Sequence, residues 1–261
     1  CTLTNEMADT LRDLFFKRAL GAIPEFKRLI IETTGLADPG PIMGSLLNEP
    51  VIGSTYRLDA VVVTVDSIYG AEQITQHLEA KKQVAVADVL LLTKTDLATK
   101  AQIENLQNTL SELNAGARQH LIQYGNINPA DIIDIGLFNA EKQATPQRWL
   151  KAPTKAKRLM GNDHSEAIKS FTITLPSPIS YDQLEPKLEW LCESHGEHLL
   201  RLKGILHVDD QPAPLAVHAV HKTLYTPTLL NGWTEEPAIS RLVLIGQNLD
   251  EDAIRKALMK L

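Results

Sequence analysis

The sequence is poor in cysteine, has no excess of basic charge and has no long apolar run. Cys1 and Cys192 are its only cysteines in 261 residues, so a disulfide framework is excluded and a reducing cytoplasm is the default compartment. Lysine and arginine number 26 against 32 aspartates and glutamates, a net charge of −6. No overall positive field exists to neutralise phosphates, which argues against nucleic acid as a general partner. No apolar stretch approaches the roughly 18 residues that cross a bilayer, so no membrane association is expected. A charged start followed by an apolar stretch, the mark of a secretory signal, is also lacking, as are repeats and low-complexity tracts. Apolar residues at 44% and charged residues at 22% are ordinary for a soluble globular protein. At about 150 residues per domain, the length suits roughly two domains.

The pattern of buried strands and helices supplies the fold class. Residues 5–20 carry Met7, Leu11, Leu14, Phe15 and Leu20 near helical spacing, with Gly21 and Pro24 ending the helix. Arg28-Leu29-Ile30-Ile31-Glu32 then reads as a short strand buried on both faces. Pro39, Gly40 and Pro41 mark a loop, with Pro41 placed to start the next helix. Ala60–Asp66 and Val89–Leu92 are stronger strands, separated by helical sequence over about 67–86. A helix over 98–113, a stop at Asn114-Ala115-Gly116 and a weaker strand over 120–124 follow. This alternation is that of a parallel α/β sheet. Lysine, glutamine, proline and alanine then dominate, and 139–165 reads as a linker. Beyond it come strands over 168–175, 199–208, 215–221 and 241–245, with helices over 181–194 and 250–261. Strands that follow one another without intervening helices suggest a smaller antiparallel α+β domain. The expected boundaries are 1–138, 139–165 and 166–261.

Two strand ends carry residues suited to a nucleotide. In open parallel sheets, ligands bind beyond the carboxyl ends of the strands. Thr93-Lys94-Thr95-Asp96 directly follows a buried strand. A carboxylate there accepts two hydrogen bonds from the N1–H and exocyclic amine of guanine, a pair adenine cannot make, while the lysine stem lies along the purine face. The competing reading makes Asp96 the cap of the following helix. Glu32-Thr33-Thr34-Gly35 ends the earlier run. A carboxylate in that position suits magnesium through its water shell, or the orientation of an attacking water. The Gly35 amide has no side chain to keep a γ-phosphate away. The stretch Leu36–Pro41 would then be a switch loop, ordered by that phosphate and released on hydrolysis. The competing reading is a solvated carboxylate at a strand end.

Glu32-Thr33-Thr34-Gly35-Leu36-Ala37-Asp38-Pro39, then Val65-Asp66, then Ala87-Asp88 through Thr93-Lys94-Thr95-Asp96-Leu97, resemble the CobW-type family of P-loop metal-chaperone GTPases, in its YjiA-like branch. Leu200-Arg201-Leu202-Lys203-Gly204 resembles the arginine-x-lysine-glycine segment of that family's C-terminal domain. The resemblance runs over essentially the whole chain. It implies a P-loop NTPase-like parallel sheet followed by a smaller α+β domain. It implies GTP binding and hydrolysis with magnesium, and delivery of zinc to a client metalloprotein; a homodimer is compatible with it. Carried onto these positions, Glu32 would be catalytic, and Gly35, Thr93, Lys94 and Asp96 would hold the nucleotide. Thr93 stands where the family carries asparagine. The family's phosphate-binding G-x-x-x-x-G-K-[ST] pattern is not found, and Cys1-Thr2-Leu3 resembles the end of its C-x-C-C metal motif. The expectation is a chain that starts inside that motif, with Cys1 as one metal thiolate, and that alone binds GTP weakly or not at all and is inactive.

Two rival readings remain. Cobalt replaces zinc if the protein serves cobalamin synthesis or nitrile hydratase activation. Alternatively, the chain is a non-enzymatic interaction protein that kept the fold. His195 with His198, and His218 with His221, lack convincing metal-ligand spacing and read as packed or solvated side chains. Cys192 reads as a core residue.

Overall fold

The computed structural model describes residues 2–35, 37–135, 168–233 and 238–260. The expected linker, 139–165, lies outside them, as does Cys1. The chain divides into two compact units, Cys1–Leu58 and Asp59–Leu261.

In the first unit, α1 (Thr2–Ala19), α2 (Pro39–Asn48) and α3 (Pro50–Thr55) surround a small apolar cluster. Ala8 and Leu11 of α1 meet Ile52 of α3 there, with Met7, Leu29 and Tyr56 at its rim. The end of α1 is fixed by Gly21 at φ 68°. Its amide donates to the Arg18 carbonyl and that of Ala22 to the Lys17 carbonyl. This is the paired closure that a left-handed glycine permits after a helix. The strand expected over Arg28–Glu32 does not form. A parallel strand sealed on both faces needs a hydrogen-bonded neighbour and two covering layers. Among the described residues no strand pairs with this run, and Ile30 is 85% exposed. Helix α2 begins earlier than expected, at Pro39, because the Asp38 carboxylate accepts from the Gly40 amide at 3.0 Å and caps it.

The second unit contains two sheets. Strands β1 (Val62–Asp66), β2 (Val89–Thr93) and β3 (Arg118–Leu121) form a parallel sheet in the order β1-β2-β3. Between them lie α4 (Gly70–Gln76), α5 (Leu78–Val86) and α6 (Lys100–Leu113). Leu90 and Leu92 of β2 are fully buried with Leu106 and Leu110 of α6 and Val84 of α5. Each such leucine contributes roughly 2 kcal/mol of burial. Helix α6 starts with a reciprocal cap between Thr99 and Gln102, and a 3-10 turn follows at Pro129–Asp131.

The second sheet is antiparallel, in the order β4-β9-β5-β6-β7, with β8 pairing β6. Its strands are β4 (Ile168–Thr174), β5 (Leu199–Leu206), β6 (Leu215–Val220), β7 (Thr223–Leu224), β8 (Thr228–Leu229) and β9 (Arg241–Gln247). Helices α7 (Tyr181–His195) and α8 (Glu251–Leu258) cover one face. Leu184, Leu188 and Leu191 of α7 and Ile254 and Leu258 of α8 pack there on Leu202, Leu206 and Leu244. Helix α5 packs against β5 on the other side. The α/β sheet followed by an antiparallel α+β domain is therefore present as expected.

Strand β5 is buried along its whole length, and Gly204 explains how its neighbours approach so closely. A Cβ at that position would run into the Leu242 and Val217 side chains of the flanking strands. Gly204→Ala is expected to destabilise the protein by about 1–3 kcal/mol. Chemical denaturation measures this, and an unchanged midpoint would mean that β5 and its neighbours have room to part.

Candidate functional site

The carboxyl ends of β1 and β2 lie side by side, with Asp66 paired to Thr93 in register. Three interactions tie them together. The Thr93 hydroxyl donates to the Val65 carbonyl at 3.3 Å. The Ser67 amide donates to the Thr93 carbonyl at 3.0 Å. The Lys94 ammonium donates to Asp66 Oδ2 at 2.5 Å. The other Asp66 oxygen accepts the amides of Ile68 and Tyr69 at 2.7 and 3.1 Å. Partial burial acts to raise the Asp66 carboxyl, but the Lys94 bond and the two amide bonds outweigh it and hold it below the usual range. The same bond raises Lys94.

Lys94 sits at φ 56°, a left-handed conformation that is uncommon outside glycine. The turn it makes sends the Leu97 amide back to the Lys94 carbonyl at 3.0 Å. The Thr95 hydroxyl donates to the Ile122 carbonyl at 3.1 Å and so joins the loop after β2 to the loop after β3. Left between these anchored residues, Asp96 is exposed and makes no hydrogen bond or ion pair among the described residues. It does not cap α6, because Thr99 does. The competing reading of Asp96 as a helix cap is therefore removed, and its carboxylate is available to a ligand.

Glu32 and Gly35 lie in exposed coil of the first unit, where the Ala37 amide donates to the Thr34 carbonyl at 3.0 Å. Space around Gly35 is open. The expected switch stretch is partly helical, since α2 begins at Pro39; Leu36 and Cys1 lie outside the described residues. Magnesium requires hard oxygen donors, and the Glu32 carboxylate with the neighbouring Thr33 and Thr34 is a donor set of that kind. Among the described residues no three His, Cys, Asp or Glu side chains converge to hold a metal.

His195, His218, His221 and Cys192 are engaged within the antiparallel domain. His195 packs edge-on against Trp190, with ring centroids 5.1 Å apart. His218 stacks on Tyr225 at 4.0 Å, and burial followed by the nearby Arg201 holds it well below its usual pKa. His221 Nδ1 lies 3.0 Å from the Gly196 carbonyl. Burial, aided by Glu189 and Glu193, pushes the Cys192 thiol up to about 12.

Sequence reasoning missed Asp66 as a partner for Lys94, although Val65-Asp66 belongs to the motif set. It also missed Asn114, whose carboxamide donates to the carbonyls of Val84, Ala85 and Ala87 at 2.9, 3.1 and 2.9 Å. Asn114 had the signature of a helix stop, and only the fold reveals its second task.

Residues 1–120 match the CobW/HypB/UreG nucleotide-binding domain, and residues 168–261 match the cobalamin synthesis protein cobW C-terminal domain. The zinc chaperone YjiA of Escherichia coli (strain K12) is 34% identical over 257 residues, which is 98% of this chain and 77% of that protein. The zinc-regulated GTPase metalloprotein activator 1 of Schizosaccharomyces pombe is 25% identical over 255 residues, covering 86% of this chain and 61% of that protein. The crystal structure of Zn(II)-bound YjiA GTPase from E. coli matches with a TM-score of 0.74 at 32% identity, covering 97% of this chain and 76% of that one. The fold and the two domain matches thus define a nucleotide-binding α/β domain of the P-loop NTPase class, joined to an antiparallel α+β domain. Within that class, the chain belongs to the CobW family.

The Asp66–Lys94 pair has a pH signature. Asp66 has a lowered folded-state pKa, so its contribution is fully present above its unfolded value and is lost as pH falls through the folded one. Asp66→Asn is expected to lower the melting temperature near neutral pH, and the gap to the parent should close below about pH 4. A gap that stays constant across a pH series of thermal melts would show that the pair contributes nothing.

Proposed function

We propose that this protein serves as a GTP-binding, GTP-hydrolysing metallochaperone that delivers zinc to a client metalloprotein in the cytoplasm. The observation that carries the nucleotide half is the exposed Asp96, without a partner among the described residues, on a loop whose other residues are tied down. The zinc half is supported by relatives named as zinc chaperones and as a zinc-regulated GTPase. The nucleotide-binding domain is assigned to 1–138, the linker to 139–165 and the C-terminal domain to 166–261, in line with the two family matches.

In this reading Asp96 accepts the guanine N1–H and exocyclic amine. Lys94, its ammonium anchored on Asp66, lays its stem along the purine. Thr93 holds the strand end in place. Glu32 orients the attacking water or the water shell of magnesium, and the Gly35 amide faces the γ-phosphate. Bound magnesium would neutralise phosphate charge. This sequence contains no G-x-x-x-x-G-K-[ST] loop, and Asp96 alone supplies the roughly 1.5–3 kcal/mol of charged hydrogen bonding. The chain by itself is therefore proposed to bind GTP only weakly and to be inactive in hydrolysis.

Asp96→Asn replaces an acceptor by a donor where guanine offers only donors. The preference for GTP over xanthosine triphosphate is expected to fall at least about tenfold, as loss of a charged hydrogen bond requires. Amide shift titrations at millimolar nucleotide measure it, and an unchanged preference would remove Asp96 from guanine recognition.

Zinc delivery driven by GTP requires the two sites to be coupled, and the coupling must be reciprocal. A non-hydrolysable GTP analogue is expected to change zinc affinity, and zinc to change nucleotide affinity by the same factor. Competition with a chromophoric zinc chelator, with and without nucleotide, tests this. Identical zinc affinities would leave a GTPase with an incidental metal and end the chaperone reading.

A further inference from the structure

The arginine-x-lysine segment of β5 does not point at solvent or into the apolar core of the antiparallel domain. Arg201 and Lys203 are 4% and 5% exposed, and both reach Asp88, which stands between α5 and β2. Arg201 donates one guanidinium nitrogen to the Asp88 carboxylate and another to the carbonyl of Val86 at the end of α5. Lys203 donates to the same carboxylate oxygen at 3.3 Å. The second Asp88 oxygen accepts the Val61 amide at 3.0 Å, immediately before β1. Burial acts to raise the Asp88 carboxyl, but Arg201 and Lys203 outweigh it and hold it below the usual range.

Asp88 therefore fixes the entry of β2 against the entry of β1, and β5 fixes Asp88. The exit of the same two strands carries Asp66, Thr93 and Lys94. Between entry and exit, β2 spans five residues, Val89–Thr93, with Leu90 and Leu92 fully buried. It is paired on both edges. A strand packed to interior density has no slack in which to absorb a displacement at one end. Five residues rise roughly 16 Å, so the far end of β2 is too distant for Arg201 to touch but is rigidly connected to it. Arginine suits this task because its planar fork serves two acceptors at once and stays charged when buried. Lys203, pushed down to about 8 by burial and by Arg201, is the weaker of the two cations.

We propose that Arg201, acting through Asp88, is a positioning residue for the loop Thr93–Asp96, so that the antiparallel domain sets the geometry of guanine recognition. This rests on the guanine reading of Asp96 given above. Arg201 touches neither the base nor the phosphates. Its influence passes along β2.

The test compares the parent with Arg201→Met and Arg201→Lys. Amide hydrogen exchange reads the loop directly through Ser67 and Leu97, which donate to the carbonyls of Thr93 and Lys94. In Arg201→Met both amides are expected to exchange about tenfold faster, the β4–β9 ladder should keep its protection, and Arg201→Lys should recover part of the loss. Unchanged exchange at Ser67 and Leu97, or equal acceleration in the β4–β9 ladder, overturns the proposal. Should Arg201→Met fail to fold, Asp88→Asn, which keeps the side-chain shape, is read by the same criteria. The second arm compares millimolar GTP with inosine triphosphate, which lacks the exocyclic amine, by amide shift titration. The parent is expected to prefer GTP, and Arg201→Met to lose at least about threefold of that preference. A parent without preference overturns the guanine reading itself. A preferring parent with an unchanged ratio in Arg201→Met overturns the positioning role.

Discussion

The buried end of α5 is the constraint on which the second unit depends. A helix leaves its last carbonyls without partners, and here those carbonyls face protein on all sides. Val84, Ala85, Val86 and Ala87 are each at most 1% exposed. Asn114 shares its carboxamide among three of these carbonyls, and Arg201 takes the fourth. Each buried carbonyl left without a donor costs about 1–3 kcal/mol, so loss of either side chain destabilises this helix end, although the Val84 carbonyl also accepts the Ala87 amide. Both come from elements distant in the chain, Asn114 from the end of α6 and Arg201 from β5. Satisfying one helix end thus pulls together the parallel sheet, its covering helix and the antiparallel sheet.

The site at the other end of β2 follows from that arrangement. Its backbone is held by Thr93, Ser67, Leu97 and Thr95, and its one cation by Asp66. What is left over is the Asp96 carboxylate, exposed and without a hydrogen-bond or ion-pair partner among the described residues. Under the guanine reading proposed above, a ligand reaching this exposed carboxylate would exchange its water for hydrogen bonds without rearranging the anchored loop. The left-handed Lys94 contributes in a different way. It turns the chain sharply after the strand and leaves Asp96 exposed, while the reach of the ammonium to Asp66 secures an otherwise unfavourable backbone conformation.

Much of this was legible in the residues themselves. Val89–Leu92 reads as a doubly buried strand because four consecutive apolar residues precede a polar turn, and the structure encloses them as expected. The final helix was legible from Asp250, whose carboxylate caps it by accepting the Ala253 amide. Arg28–Glu32 has the same apolar signature as β2 yet stays in coil, since composition reports that a segment is fit for burial and not whether a neighbour is there to pair with it. Asn114 was legible as a helix stop but not as a donor to α5, and Arg201 only as part of a family motif. Both act across long stretches of sequence, where periodicity carries no information. Asp96 was legible by its place after β2, while its freedom from capping duty was visible only once Thr99 and Gln102 were seen to close the helix start.

The separation between Asp88 and Arg201 has a consequence for biosynthesis. The two residues are 113 positions apart, and the carboxylate is made first. At about 5–20 residues per second, roughly 6–23 s of translation pass before its partner is made. During that interval α5 and β2 have apolar surface ready to pack, but the carboxylate and the Val86 carbonyl beside it lack the donors that make their burial tolerable. Until β5 is made, the parallel sheet has only the Val61 amide to offer the Asp88 carboxylate, and its packing there is completed by Arg201 and Lys203. A chain that stops before β5 would therefore lack more than its last strands, because Asp88 and the Val86 carbonyl would lose their Arg201 donors as well.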